Sequence, residues 1–391
     1  MRSDASIRIA AWIIITLAVT ACGGGSDGSA SNDSAPNTSV TPISVSGGGV
    51  KGPLIGALVT AYRIDTSQSD FKGEVFDVGS TNNRAEIIDL NLEAGKFYIL
   101  EIVADADTLD LTTGSAPVLK KLTTVMSPAI LDSGSPIYAT PMTTLAVELA
   151  ISNADSSSGA FSGNDDGVTS ASEFTSALDA AAGQVKSFLG FGMNQNIDIF
   201  TAAPLVNNET TSQLDLLQVA EYRTAIEVIT ALTVALNDEI ESQNPTAIST
   251  PDLILDAIAA DITDGRIDGK VSGSPILALN DIVDLKNSVE IDPITLTIPG
   301  TSIPISSIQS LLDSETSVTG TTTDTSALID GRIEISVGSL NFIADSDNDG
   351  ASDLIDAFPT DPLRIFVGDG SNVGETGIFG GSQWNDGSIF E

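Results

Sequence analysis

A run of aspartates near the C-terminus constrains this chain more than any other segment. Residues 345–362 read D-S-D-N-D-G-A-S-D-L-I-D-A-F-P-T-D-P. Carboxylates packed this closely repel one another unless a hard cation lies between them. Their spacing matches the ligand positions of a calcium loop, with Gly350 at the sharp turn and the Ala351 carbonyl as a backbone ligand. The sequence therefore predicts a Ca²⁺ site, and the alternative is a solvated acidic linker. The predicted ligands are Asp345, Asp347, Asp349, Ala351, Asp353 and Asp356.

The end of this run differs from an EF-hand, because Asp356 stands where that loop usually has a glutamate. With the Ala-Phe-Pro-Thr-Asp-Pro that follows, the segment resembles a single thrombospondin type 3 repeat of the bacterial kind. The resemblance implies a calcium-binding extracellular module.

Composition excludes several classes of function. The chain has 53 acidic and 16 basic residues and a formal net charge of -37, so nucleic acid and anionic lipid surfaces are poor partners. It contains no histidine, which removes Ser-His-Asp and Cys-His catalysis and every histidine-ligated metal site. Its single cysteine, Cys22, excludes an internal disulfide and a cysteine-cluster metal site. We therefore predict that the protein is not an enzyme.

The first 22 residues explain the cysteine. Arg2 and Arg8 precede an apolar stretch over residues 9–19. This stretch is too short to span a bilayer of about 30 Å. This pattern predicts an export signal. Its Val-Thr-Ala-Cys ending resembles the lipobox of bacterial lipoproteins, which implies lipidation at Cys22. Gly23 after the cysteine implies retention at the outer membrane, on the periplasmic or the surface-exposed face. The alternative is an ordinary signal peptide with an incidental cysteine.

Strand patterns dominate the segment that follows the Gly/Ser-rich tether. Residues 50–65 and 97–103 are β-rich and are punctuated by glycine and proline. The V-K-G-P-L-I-G-A-L-V-T-A-Y run at the start resembles carboxypeptidase regulatory-like domains. That resemblance implies a small transthyretin-like β-sandwich that carries no active site.

Helical signals replace strand signals after Thr140-Pro141. A Thr cap and a Pro at the first position predict a helix over 142–152, and Thr250-Pro251 predicts another that ends near Gly265. A capping box at Ser170-Ala-Ser-Glu173 starts a third, and an apolar period predicts a long central helix over 213–241. The third helix has an apolar stripe of Phe174, Leu178, Ala181, Val185 and Phe188. Strand-like pieces are predicted at 294–298 and 332–337.

Two further loops can each be interpreted either as a metal site or as a simple turn, and their metal-site patterns are weaker. In residues 162–173, Asn164, Asp166, Gly167, Ser170 and Glu173 fall at calcium-loop positions, but position 1 is Ser162. The simpler interpretation is a turn followed by the capping box. Residues 261–269 are interpreted as a helix stop followed by turns, with a metal site as the alternative.

These signals together predict a multidomain α+β protein with an N-terminal transthyretin-like β-sandwich, a central α-helical bundle and a C-terminal calcium-loop segment. The predicted divisions are a lipoprotein signal peptide (1–21), a disordered tether (22–43), the regulatory-like sandwich (44–138), the helical domain (139–270), a mixed or irregular β region (271–343), the calcium repeat (344–364) and a flexible tail (365–391). The expected function is a calcium-binding surface lipoprotein. It would act in adhesion, as a scaffold or as a binding module, anchored to the membrane through Cys22, with an extracellular protein or polysaccharide as partner.

The alternative function is a carboxylate-dependent hydrolase or an accessory protein in polysaccharide processing. It requires a concave pocket with two carboxyl groups about 5 to 9.5 Å apart, at least one of which has a raised pKa.

Overall fold

A computed structural model describes residues 42–271, 274–280, 282, 292–340, 378–379 and 382–383. The chain is a mixed α/β protein built on a curled β half-barrel. This agrees with the α+β class that the sequence predicts.

The half-barrel is a five-stranded antiparallel sheet with the strand order β10-β8-β4-β5-β6. Shorter pairs surround it: β1 with β7, β3 with β9 and, in parallel, β2 with β11. Two further short antiparallel pairs are β12 with β13 and β14 with β15. The strands are β1 Ile43–Ser44, β2 Gly47–Gly49, β3 Leu54–Ile55, β4 Leu58–Ile64, β5 Lys72–Thr81, β6 Ile87–Ile88, β7 Asn91–Leu92, β8 Tyr98–Val103, β9 Leu109–Asp110, β10 Lys121–Met126, β11 Ile137–Ala139, β12 Lys270–Val271, β13 Ser274–Pro275, β14 Ile378–Phe379 and β15 Ser382–Gln383.

The central strand β4 shows how the sheet divides its faces. Val59 and Ala61 are fully buried, whereas Leu58 is 46% exposed. Alternate side chains of a strand point to opposite faces, so one face of β4 lies in the core. The register with β5 shifts after Ala61 and again after Tyr62. Such bulges bend a strand and increase its twist, which fits the curl of the sheet.

The helices are α1 Pro128–Ser133, α2 Pro141–Asn153, α3 Ala171–Leu189, α4 Gln213–Gln243, α5 Pro251–Asp261, α6 Ile308–Thr319 and α7 Ser326–Ile329. Single 3-10 turns lie at Ile262–Asp264, Leu277–Leu279, Pro293–Thr295 and Ile305–Ser307. The predicted starts of α2, α3, α4 and α5 are confirmed. Thr140, Ser170 and Thr250 each cap a helix by accepting a hydrogen bond from a backbone N–H of its first turn. The predicted apolar stripe of α3 is buried along its length.

Helix α2 covers the edge of the sheet through its threonines. The Thr144 hydroxyl accepts a hydrogen bond from the Thr123 N–H at 2.9 Å, and the Thr143 hydroxyl donates to the Thr123 carbonyl at 2.7 Å. Thr123 lies in β10, at the end of the strand order. An edge strand exposes unpaired backbone groups, and these two hydroxyls satisfy one residue of that edge. The T-P-M-T-T run therefore caps a helix and docks it on the sheet.

The prediction of strands at residues 294–298 and 332–337 is wrong. Residues 294–298 begin in a 3-10 turn and add a single bridge at Thr297, and residues 332–337 form no strand. Helix α6 lies between them and buries Ile308, Leu311 and Leu312 on one face. The isoleucines and valine of 332–337 alternate as in a strand, but they pack against the core without a strand partner.

The largest cluster of buried apolar side chains joins the sheet to the helices. It includes Leu100 of β8, Leu145 of α2, Ile226 of α4 and Leu311 of α6. Helix α4 is buried on nearly every side, as its long apolar pattern predicts. In the part of the chain that the structure describes, no helix has the length and apolar character needed to cross a membrane.

Candidate functional site

Charged side chains lie inside the protein where strand loops meet helices α4 and α6. We call this group the buried charge network. Each member is at most 3% exposed in its side chain. The members are Lys51, Asp110, Arg223, Glu227 and Glu315.

Lys51 comes from the turn between β2 and β3. Its Nζ lies 3.2 Å from Asp110 Oδ2 and 3.5 Å from Glu227 Oε2, and it also donates to the Pro299 carbonyl at 3.3 Å. The neighbouring Gly52 permits this approach. A Cβ atom added there would lie 1.9 Å from Asp110 Oδ1. The V-K-G-P run therefore buries a lysine against carboxylates on a turn that has no space for a second side chain.

Arg223 is the second cation of the network. Its guanidinium forms a fork with Glu315, with NH1 at 3.0 Å from Oε2 and NH2 at 2.8 Å from Oε1. Its Nε donates to Glu227 Oε1 at 2.9 Å, one helical turn along α4. Burial disfavours the charged guanidinium, but the attraction of Glu315 and Glu227 outweighs it and raises the pKa of Arg223. Arg223 is therefore a permanent cation.

Thr112 connects the strand loops to the helices. Its hydroxyl accepts from Arg223 NH2 at 2.9 Å and donates to Glu315 Oε1 at 2.8 Å, and its N–H donates to Asp110 Oδ1 at 2.8 Å. Two cations thus face three carboxylates in a space closed to water. Such a network holds distant segments together, and dissolved molecules cannot reach it without local opening.

Sequence reasoning missed this network, although one signal was present. Between Tyr222 and Asn237, the apolar helix α4 carries only two charged residues, Arg223 and Glu227, at the i,i+4 spacing of an ion pair. A charged pair within a helix that is apolar on all sides indicates a buried pair. Lys51, Asp110 and Glu315, which lie in other segments, have no comparable pattern in the sequence around them.

The loop at 162–173 uses its predicted calcium-loop residues for backbone hydrogen bonds. Glu173 Oε2 accepts from the Ser170 N–H at 2.7 Å, and Ser170 Oγ accepts from the Glu173 N–H at 3.2 Å. The capping-box interpretation is therefore confirmed. Earlier in the loop, Asp155 Oδ1 and Oδ2 accept the N–H groups of Asp166 and Gly167 at 3.1 Å and 2.9 Å.

The predicted helix stop at 261–269 is also confirmed. Helix α5 ends at Asp261, and a 3-10 turn leads to Gly265, whose φ is 82°. The buried Asp261 Oδ1 accepts three backbone hydrogen bonds, from Asp268, Gly269 and Lys270, at 2.9 to 3.2 Å. Its Oδ2 has no hydrogen-bond partner among the described residues. Burial raises the pKa of Asp261 to about 7, against the opposing effect of these N–H groups.

Two other carboxylate pairs bear on acid-base chemistry. Burial raises the pKa of Glu148, and repulsion from Asp256 raises it further. Burial also raises the pKa of Asp256, although the attraction of Lys121 opposes this shift. A separate cavity of about 290 Å³ has Asp179 and Asp198 in its lining, beside apolar residues such as Phe97 and Leu178. Glu148 and Asp256 do not line this cavity.

The principal predicted site residues lie outside the described part of the chain. These are the lipidation site Cys22 and the calcium ligands Asp345, Asp347, Asp349, Ala351, Asp353 and Asp356. Within the described ranges, no three or more acidic or cysteine side chains lie close enough together to hold a metal ion.

Comparisons with known proteins do not assign this chain to a group. A scan against protein-family models, a search of curated proteins and a search of solved structures found no match.

Proposed function

We propose that this protein is a calcium-binding lipoprotein of the bacterial cell envelope that acts in adhesion, as a scaffold or as a binding module. The observation that carries the proposal is the aspartate spacing of residues 345–356, which fits the ligand set of a calcium loop. Lipidation at Cys22 anchors it in the outer membrane, facing the periplasm or the exterior. Its partner is an extracellular protein or a polysaccharide, and it is not an enzyme.

The described structure supports a role in holding and display. The buried charge network joins Lys51, Asp110 and Glu315 from three separate parts of the chain to helix α4. An enclosed network of this kind stabilises the relative position of strands and helices. Such rigidity suits a protein that presents a surface at a distance from its membrane anchor.

The finer architecture also belongs to this proposal. We propose that the five-stranded curled sheet and its surrounding short strands form a transthyretin-like sandwich over 44–138, and that α2 to α5 form a helical domain over 139–270. The calcium-loop segment follows at 344–364. In this arrangement calcium neutralises an acidic segment whose charges otherwise keep it expanded.

Calcium titration of the purified full chain tests the proposal. Extracellular modules bind calcium with a dissociation constant on the order of 10⁻⁴ to 10⁻³ M. At about 10 mM calcium, such binding stabilises the folded segment by about 1.4 to 2.7 kcal/mol. We expect Asp347→Ala and Asp349→Ala to weaken binding, and Asp238→Ala, a change of an exposed aspartate on α4, to leave it unchanged. Equal calcium affinity in all four proteins would overturn the calcium assignment.

The anchor requires a separate test in the native host. Cys22→Ser is expected to release the protein from the membrane fraction or to block its maturation, because the lipid chains supply the membrane affinity. Unchanged membrane retention and unchanged mass would contradict lipidation. Attachment to cells or matrix that is lost with a chelator and in Asp349→Ala would support the adhesive role.

The second candidate, a carboxylate-dependent hydrolase, is favoured by the raised pKa values of Glu148 and Asp256. A hydrolase needs such groups in a concave site. Among the described residues, the cavity of about 290 Å³ is lined by Asp179 and Asp198, whereas the raised pKa values belong to Glu148 and Asp256, which do not line it. The separation favours the scaffold role. Hydrolysis of a polysaccharide that is lost in both Glu148→Gln and Asp256→Asn, but retained in Asp238→Asn, would reverse this preference.

A further inference from the structure

The amine of Lys51 lies in an arrangement that suits a covalent reaction. Its Nζ is 3.2 Å from Asp110 Oδ2 and 3.5 Å from Glu227 Oε2, and all three side chains are at most 1% exposed. Two reacting groups held at this distance in a fixed orientation gain a large effective concentration. Without water around them, the charged forms of an amine and an acid also lose the solvation that normally keeps them apart.

We propose that Lys51 and Asp110 form an intramolecular amide bond after the chain has folded, with Glu227 as the group that moves protons. The Lys51 ammonium first gives one proton to Asp110 Oδ2, which leaves a neutral amine beside a carboxylic acid. The Nζ–Cγ bond then forms and the Cγ–Oδ2 bond breaks. Glu227 takes a proton from Nζ and delivers it to the departing oxygen, which leaves as water. An ammonium and a carboxylate thus become an amide and one water molecule, with no oxidant or further reactant.

The surroundings of Asp110 assign different tasks to its two oxygens. Oδ1 accepts the Thr112 N–H at 2.8 Å, whereas Oδ2 faces Lys51. A fixed N–H at the oxygen that becomes negatively charged stabilises the tetrahedral intermediate. Oδ1 therefore remains as the amide oxygen, and Oδ2 is the oxygen that leaves.

The partners of Glu227 distinguish it from Asp110. Its Oε1 accepts from Arg223 Nε at 2.9 Å, and its Oε2 lies 3.5 Å from Lys51 Nζ, farther than the 3.2 Å of Asp110 Oδ2. Its buried Oε2 accepts no hydrogen bond from the described residues and lies within 3.5 Å of Nζ. That oxygen has a free lone pair for a proton. The geometry therefore makes Asp110 the acylating group and Glu227 the proton carrier.

The bond would close a ring between positions separated by 59 residues. It would tie the turn after β2 covalently to the end of β9, beside Glu227 of helix α4. The inference does not rest on calcium binding or on lipidation.

Peptide mapping of the full chain tests the proposal directly. The folded protein is unfolded, digested with trypsin and analysed by fragmentation mass spectrometry. We expect a branched peptide that contains Lys51 and Asp110, lighter than the two separate peptides by one water molecule. We also expect no cleavage after Lys51 and no labelling of its amine in denaturant. A linear Lys51 peptide with a free amine, from protein with folded near-ultraviolet circular dichroism, would overturn the proposal.

Variants separate the roles of the three residues. Glu227→Gln is expected to keep the fold but to yield the linear peptide, as is Asp110→Ala. Lys72→Met removes a lysine outside the network that pairs with Glu101 at 2.7 Å, and it is expected to retain the branched peptide. A branched peptide that persists in Glu227→Gln would overturn the proton-transfer role of that residue. The wild-type measurement alone decides whether the bond forms, even if a variant fails to fold.

Discussion

The carboxylates around Arg223 and the carboxylate of Asp261 are buried with different kinds of partner. Glu227 and Glu315 face a guanidinium, and the Arg223–Glu315 contact joins positions 92 residues apart. Asp261 faces backbone N–H groups only seven to nine residues further along the chain. The first arrangement ties distant segments, and the second closes a local loop at the end of α5.

The buried charge network and Asp261 are therefore expected to respond differently to a change of charge. In the network, Glu227 and Glu315 both face the permanent cation Arg223, so removing that cation leaves buried charge without compensation. Among the described residues, backbone N–H groups are the donors to the Asp261 carboxylate, and its burial favours the protonated form. The network should therefore be sensitive to mutation, and Asp261 to pH.

The largest expected effect is that of Arg223→Met. Removing one partner of a buried ion pair costs about 3–5 kcal/mol, because Glu227 and Glu315 would remain buried without their cation. Denaturant unfolding followed by circular dichroism measures the loss. Arg332→Met changes an arginine that is 53% exposed and serves as the control. Equal losses in the two variants would contradict the role assigned to the network.

A triple variant sharpens this result. Replacing Arg223, Glu227 and Glu315 together by apolar residues of similar volume removes both signs of charge. Such replacements of whole buried ion-pair sets are often neutral or stabilising. We expect the triple variant to be more stable than Arg223→Met alone in the same unfolding experiment. A larger loss of stability in the triple variant than in Arg223→Met would mean that the ion pairs themselves make a net stabilising contribution.

The next effect is the pH dependence that Asp261 contributes. Its folded-state pKa is about 7, above the ordinary value of 3.8, so the folded state holds this proton more tightly than the unfolded chain. The resulting stability is complete below pH 3.8 and is lost as the pH rises through about 7. The slope is at most about 1.4 kcal/mol per pH unit.

Asp261→Asn isolates this contribution, because asparagine keeps an oxygen acceptor and does not titrate. We expect the stability of the variant to rise relative to the wild type between pH 3.8 and about pH 7, and to change little above that. Unfolding curves at several pH values measure the difference. Asp238→Asn changes an exposed aspartate and should show no such trend. A difference between Asp261→Asn and the wild type that is independent of pH would contradict the raised pKa.

A smaller loss of stability is expected at Thr144, because its contact with Thr123 is a hydrogen bond between uncharged groups. Thr144→Val keeps the shape of the side chain and leaves the Thr123 N–H of β10 without its acceptor. An unsatisfied buried N–H costs about 1–3 kcal/mol. Hydrogen exchange of the Thr123 amide should accelerate along with the loss of stability. Thr175→Val, at an exposed position of α3, is the control and should change neither quantity appreciably.

The smallest effect is expected for Arg63→Met on the surface. Arg63 donates to Glu93 at 2.7 Å and lies over the ring of Phe76, but its side chain is 31% exposed. Pairs that water reaches contribute about 0–1 kcal/mol, and they weaken with salt. Unfolding at low and high salt measures this dependence. A loss as large as that of Arg223→Met would show that burial is not what distinguishes the two arginines.

The helix starts and the mixed α/β class could be predicted from the amino-acid sequence. Thr140-Pro141, Ser170 to Glu173 and Thr250-Pro251 predict their helices correctly, because a cap binds N–H groups within its own first turn. Helix α6 was missed, although the spacing of Ile308, Leu311 and Leu312 matches a helix, since its Ser/Thr-rich composition resembles a strand or loop. The charge balance and the predicted export signal also restrict the classes of function that the sequence favours.

The partners of Lys51 and Arg223, in contrast, follow from the three-dimensional packing of the chain. Lys51 meets Asp110 59 residues away and the Pro299 carbonyl 248 residues away, and no local pattern encodes such separations. The alternation of residues 332–337 was likewise ambiguous, because the same apolar spacing fits a paired strand or an extended segment packed on helices. In each case the result depends on which surface the rest of the chain brings near. A buried charge or an apolar segment is stable only against that surface, so its place follows from packing and not from its neighbours in sequence.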